Sequence, residues 1–155
     1  MTKKLKVGLI GLGGIANLHA GGWKASEHAE LVAGCDINPK VFERWENEHG
    51  LKNLTNNYEE LINDPELDII EIGYPNNNHE EQTTAALNAG KHVLCEKPLA
   101  PTVDEIRDMI AARDKAGKLL MTGHHFRFSG TSRALKSEID AGSLGDIYHA
   151  RAWWL

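Results

Sequence analysis

Short apolar runs of strand length alternate with segments of helical period from one end of the chain to the other, and that alternation leaves few folds open. Leu5 to Ile10, Leu31 to Asp36, Asp68 to Tyr74, His92 to Cys95 and Leu119 to Thr122 read as strands, and Ile147 to Leu155 reads as the start of another. Between them apolar residues recur at helical spacing: Ile15, Leu18, His19, Gly22 and Trp23, then Val41, Phe42 and Trp45, then Val103, Ile106, Met109 and Ile110. A further helix is expected near Ser132 to Ala141. Pro39 suits a helix start, Asn57 and Asn78 stand before acidic residues as N-caps, and Thr102 with Glu105 makes a capping box. Gly50, Gly90 and Gly117 suit helix ends. Strands joined by crossover helices pair in parallel, so the expected fold is α/β, a doubly wound and mainly parallel sheet.

Composition bounds the rest. With 41% hydrophobic residues, 155 residues close one sizeable core. A formal charge of -5 argues against nucleic acid as a partner, and no apolar run nears the ~20 residues that span a bilayer, so no membrane is expected either. Lys3, Lys4 and Lys6 ahead of Val7 to Ala16 imitate a secretory signal, but Gly8, Gly11, Gly13 and Gly14 break the apolar run and no clean cleavage site follows. A cytoplasmic location is expected. Cys35 and Cys95 sit in apolar runs and read as small core residues of a reducing compartment.

Gly11-Leu12-Gly13-Gly14-Ile15-Ala16 gives G-x-G-x-x-A between a strand and a helix. Gly11 permits a tight turn, Gly13 a close approach of backbone to a pyrophosphate, and Ala16 close packing of helix on strand. The helix N-terminus then points its amides at phosphate. Asp36, at the end of the second strand, can accept both hydroxyls of a ribose. Against a 2'-phosphate its charge would cost ~4 kcal/mol at 4 Å and an effective dielectric of ~20. No Arg lies in Ile37 to Lys40, so NAD is expected rather than NADP, with Lys40 as the one opposing charge. Cys95-Glu96-Lys97-Pro98 follows a strand at the edge where open α/β sheets place their ligands, and its X-Pro bond is a candidate for the cis form. Beside a nicotinamide, the Lys97 ammonium could stabilise alkoxide character on a substrate hydroxyl. Two alternatives remain at this point, an S-adenosylmethionine-dependent methyltransferase and a non-catalytic dinucleotide-binding module.

His19, on the apolar face of the first helix, reads as a satisfied core histidine. Glu59-Glu60 and Glu80-Glu81 are helix starts. His124 and His125 are adjacent on an extended segment and point to opposite faces, so no metal site is read from them.

Glu96-Lys97-Pro98, the Gly11 to Ala16 turn, Asp36 and Pro75-Asn76-Asn77-Asn78-His79 together resemble the Gfo/Idh/MocA oxidoreductases in order and spacing. The resemblance implies that Gly11, Gly13, Gly14, Ile15 and Ala16 hold the pyrophosphate of NAD and Asp36 its adenosine ribose. Pro75, Asn76 and His79 would line the nicotinamide side, with Glu96 and Lys97 near the nicotinamide ribose and substrate. Lys97, His125 and Arg127 would face the substrate, and Tyr74 replaces the family's usual Thr or Ser. The implied division is a dinucleotide-binding domain over 1–123, then a crossover segment and the first strand of a truncated C-terminal domain over 124–155. The abrupt apolar ending at Trp153-Trp154-Leu155 carries the expectation that the natural chain continues. The implied activity is hydride transfer between a sugar, polyol or related hydroxy compound and NAD, in a homo-oligomer. The family's general base, a histidine in a D-x-x-x-H pattern of the second domain, has no counterpart here, so the 155-residue chain by itself is expected to be inactive.

Overall fold

The computed structural model describes residues 3–153. Six strands form one parallel sheet: β1 (Leu5–Ile10), β2 (Ala29–Cys35), β3 (Asn53–Thr55), β4 (Ile69–Ile72), β5 (His92–Cys95) and β6 (Leu120–Thr122). Their order is β3-β2-β1-β4-β5-β6, the doubly wound Rossmann arrangement, with its reversal between β1 and β4. The helices are α1 (Gly14–Ala25), α2 (Phe42–His49), α3 (Tyr58–Asn63), α4 (His79–Asn88), α5 (Val103–Ala116) and α6 (Gly130–Asp140).

Alternation along the strands divides the apolar residues between two faces. Leu9 packs with Leu12, Ala16 and Ala20 of the first crossover and with Trp45 and Leu51. Ile10, Ile70, Ile72, Val93 and Cys95 point the other way, against Leu61, Ala86, Leu87 and Met109. Both faces are covered, as a parallel sheet requires.

The local signals at helix ends hold where the chain supplies its own partners. Thr102 and Glu105 form both halves of the capping box, Asn57 accepts from the Glu59 amide, and Gly50 and Gly117 end α2 and α5 with left-handed φ of 70° and 63°. Three expectations need correction. Asn78 does not cap α4 with its side chain. A 3-10 turn over Asn76–Asn78 runs into the helix instead, and the carbonyls of Pro75 and Asn76 accept the amides of Asn78 and His79. Strand β3 was not expected: Asn53, Leu54 and Thr55 carry no apolar alternation, and pairing with Ala33, Gly34 and Cys35 of β2 makes them a strand. Ile147 to Trp153 forms no strand, because among the described residues no neighbouring strand takes up its backbone groups. Trp154 and Leu155 lie outside the described residues.

The chain divides into two compact units, one ending at Gly123 and one beginning at His124. The first holds the whole sheet. The second holds a 3-10 turn over His125–Phe128 and helix α6, whose Leu135 and Ile139 are exposed along with Leu144 and Ile147. No helix among the described residues is long and apolar enough to cross a membrane.

Candidate functional site

The residues singled out in the first unit follow the carboxyl ends of β1, β2, β4 and β5, and backbone hydrogen bonds carry the sheet one step past those ends. Gly11 donates to Cys35 O at 2.8 Å, Gly73 to Ile10 O at 2.8 Å, Glu96 to Ile72 O at 2.9 Å and Gly123 to Cys95 O at 2.8 Å. The loops therefore start from fixed points. The glycine turn after β1 and the loop after β4 lie side by side at the reversal of strand order, where open α/β sheets hold ligands.

Gly11 has φ +94°, and a Cβ there would lie 2.9 Å from both the carbonyl carbon and oxygen of Gly73, so only glycine lets the two loops touch. Past it, a Cβ at Gly13 or Gly14 would meet nothing within 4 Å, which leaves an open cradle over the start of α1. That helix has no side-chain cap and no acidic residue in its first turn, so its leading amides keep their capacity for an anion. Ala16 is fully buried against the sheet. Ile15 is 36% exposed at the mouth of the turn.

Asp36 is built into the same turn. Its Oδ2 accepts the Leu12 amide at 2.9 Å and its Oδ1 the Asn38 amide at 2.8 Å. A carboxylate has about four acceptor positions, so capacity for two ribose hydroxyls remains. The Leu12 carbonyl in turn accepts from Trp45 Nε1 at 3.0 Å and from the Arg44 guanidinium at 3.1 Å. Sequence reasoning did not find Arg44, which α2 swings back to the glycine turn across 32 residues.

The loop after β4 exposes Pro75 and Asn76 but buries His79 completely. Both ring nitrogens of His79 face carbonyl oxygens, Nδ1 with Pro98 at 2.9 Å and Nε2 with Tyr74 at 2.7 Å. It ties this loop to the turn after β5. In that turn Glu96 is buried and Lys97 is exposed, with a cis bond between Lys97 and Pro98. The Lys97 amide donates to Glu96 Oε2 at 3.0 Å, and its ammonium has no partner among the described residues.

Behind the turn, His19, expected as a satisfied core histidine, joins Glu96 and Glu71, of which the sequence analysis did not single out Glu71. Glu71, in the middle of β4, is fully buried, with one carboxylate oxygen facing His19 Nδ1 and the other accepting from Trp23 Nε1. His19 Nε2 lies 3.3 Å from Glu96 Oε1. The hydrogen bond to Glu71 holds the His19 pKa above its ordinary value, against burial, with the charges of Glu71 and Glu96 adding to the rise. One signal was available: a glutamate inside an apolar strand needs a donor, and His19 and Trp23 at i and i+4 on the next helix face supply two. His125 and Arg127 belong to the second unit and are exposed. Burial pushes the thiols of Cys35 and Cys95 up to about 11 and about 12, as inert core cysteines require. Among the described residues no group of three or more His, Cys, Asp or Glu could hold a metal ion.

A glycine cradle at a helix start, a carboxylate at the end of β2 and a reversal of strand order between β1 and β4 define a dinucleotide-binding α/β domain. The profile of the Gfo/Idh/MocA oxidoreductase family, NAD-binding Rossmann fold, matches residues 5–124, and the chain belongs to that family. It is 37% identical over 146 residues to 1,5-anhydro-D-fructose reductase of Ensifer adhaerens, covering 94% of this chain and 44% of that protein. It is 33% identical over 141 residues to myo-inositol 2-dehydrogenase of Thermotoga maritima, covering 91% and 42%. Among solved structures, scyllo-inositol dehydrogenase from Lactobacillus casei with bound NAD(H) and scyllo-inositol superposes with a TM-score of 0.87 at 29% identity, over 93% of this chain and 43% of that one. The chain thus spans less than half the length of these relatives. Nothing in the comparisons supports the methyltransferase alternative.

Proposed function

We propose that the chain is the cofactor-binding half of an NAD-dependent oxidoreductase acting on a sugar, polyol or related hydroxy compound. The observation that carries this reading is the placement, at the carboxyl ends of β1, β2 and β5 of one sheet, of the open Gly13–Gly14 cradle, the partly used Asp36 carboxylate and the exposed Lys97. The names of the relatives, inositol dehydrogenases and a sugar reductase, support the substrate class. When bound, NAD would supply the hydride acceptor. The chain's own residues do the rest: the amides of Gly13 to Ala16 hold the pyrophosphate, and Asp36 accepts the adenosine ribose hydroxyls. Pro75 and Asn76 flank the nicotinamide, with His79 fixing their loop from below. Lys97 would present its ammonium to the substrate oxygen, where it favours the alkoxide formed as the hydroxyl proton leaves, ahead of hydride transfer.

Asp36 makes NAD the preferred cofactor, since a 2'-phosphate would meet a carboxylate already fixed by two amides. Calorimetric titration with NAD and NADP, alongside Asp36→Ala, tests this. The expected result is tighter NAD binding by the unaltered chain and a narrowed difference in the variant. Equal or tighter NADP binding by the unaltered chain overturns the preference.

A further inference from the structure

The His19 group has no part in the proposed function, although it sits directly behind the Lys97 turn. Three elements contribute: α1 gives His19 and Trp23, β4 gives Glu71, and the end of β5 gives Glu96. The chain of contacts runs from the Trp23 indole to Glu71, from Glu71 to His19 Nδ1, from His19 Nε2 to Glu96 Oε1, and from Glu96 Oε2 to the Lys97 amide. Glu96 has little room to turn elsewhere, because its Oε1 lies so close to Gly123 that a Cβ there would approach within 2.6 Å.

A neutral imidazole carries one N–H and can serve one carboxylate; two carboxylates facing its two nitrogens are served together only by the imidazolium. Its charge matters as much as its donors, since two buried carboxylates with no cation between them repel. The charged groups facing His19 from the packed elements are Glu71 on β4 and Glu96 after β5, and α1 adds only the Trp23 indole, which is spent on Glu71. No lysine or arginine competes for either carboxylate: the Lys97 ammonium makes no contact with them, and the ion pairs among the described residues lie elsewhere.

We propose that His19 is a positioning residue for Lys97: its imidazolium, held between Glu71 and Glu96, fixes the carboxylate that holds the Lys97 amide, and loss of its proton frees the turn. This rests on the reading of Lys97 as the group that meets substrate. In the protonated state Glu96 is pinned on both oxygens and the start of the Lys97 turn has one geometry. In the neutral state His19 serves Glu71 alone, Glu96 loses its cation, and the Lys97 amide loses a fixed acceptor. A lysine whose backbone is loose no longer delivers its ammonium to one place, and small misplacement near reacting atoms is costly in rate.

The test is a pH titration of the 155-residue chain followed by NMR, reading the His19 ring and the Lys97 amide together. The expected result is a His19 midpoint above the ordinary ~6.5, with the Lys97 amide resonance moving upfield on the same curve. Glu71→Gln should lower the midpoint and carry the Lys97 transition down with it. His19→Gln should abolish the Lys97 transition. A Lys97 amide that does not respond across the His19 titration, or a His19 midpoint at or below ~6.5, overturns the proposal. The unaltered chain supplies both readouts, so a variant that fails to fold does not shelter it. The role of Lys97 in turnover is measured separately through Lys97→Met, so a failure there strikes the substrate reading and not the His19 coupling.

Discussion

At the scale of residues, exposed Lys97 and buried Glu96 are neighbours in sequence with opposite surroundings, and the difference assigns them different work. Lys97→Met keeps most of the stem and removes the ammonium. In an enzyme that contains this chain, NAD affinity should hold while turnover falls by ~10² or more, as steady-state kinetics beside calorimetry would register. Near-normal turnover would return Lys97 to the status of a surface residue. His19 gives a pH dependence whose sign follows from its raised pKa. Its pairing is fully present below the unfolded value of ~6.5 and is lost as pH rises through the folded one. Urea midpoints taken from slightly acidic to mildly alkaline pH should therefore fall over that window, and His19→Gln should flatten the fall. A slope identical in both proteins would remove His19 as its source. Glu71 inside an apolar strand signals that a donor is needed, but sequence does not say that His19 supplies it, because 52 residues separate the two and only the fold brings them together.

At the scale of elements, the legible features were those whose partners lie within a turn. The capping box of α5 is one: Thr102 accepts from the Glu105 amide, while the Glu105 carboxylate accepts from the Thr102 amide at 2.9 Å. Thr102→Ala should cost ~1 kcal/mol in chemical denaturation and leave cofactor binding unchanged, since α5 starts on the far side of the Pro98 turn. A loss below ~0.3 kcal/mol would mean that the box adds little to a helix already fixed by Met109 and Ala112 in the core. Strand β3 was illegible for the opposite reason. Three residues without alternation become a strand only because the edge of β2 offers them Ala33 to Cys35. The Asn78 cap misled because a side-chain cap and a 3-10 turn satisfy the same orphan amides, and sequence does not rank them.

At the scale of the whole molecule, the doubly wound sheet and the glycine turn with Asp36 followed from periodicity and spacing. Arg44 and His79 acquired their places from the packing of α2 and α4. The second unit exposes Leu135, Ile139, Leu144, Ile147, Tyr148 and Trp153, an unusual density of apolar side chains for so short a stretch. The 155-residue chain should accordingly self-associate, and a version ending at Gly145 should do so less while still binding NAD. Light scattering that finds the longer chain monomeric at high concentration would remove the association and leave the cofactor site untouched. The hydrogen bonds that continue the sheet beyond its strands have a further consequence. Gly11, Gly73, Glu96 and Gly123 donate amides to carbonyls of neighbouring strands, so these loop residues are tied to the ladder that opens last. Their amide protons should therefore exchange with solvent on the time scale of global unfolding rather than of loop motion, as native-state hydrogen exchange would register. Such exchange would give the cleft at the carboxyl ends of the strands a floor that opens only with the core.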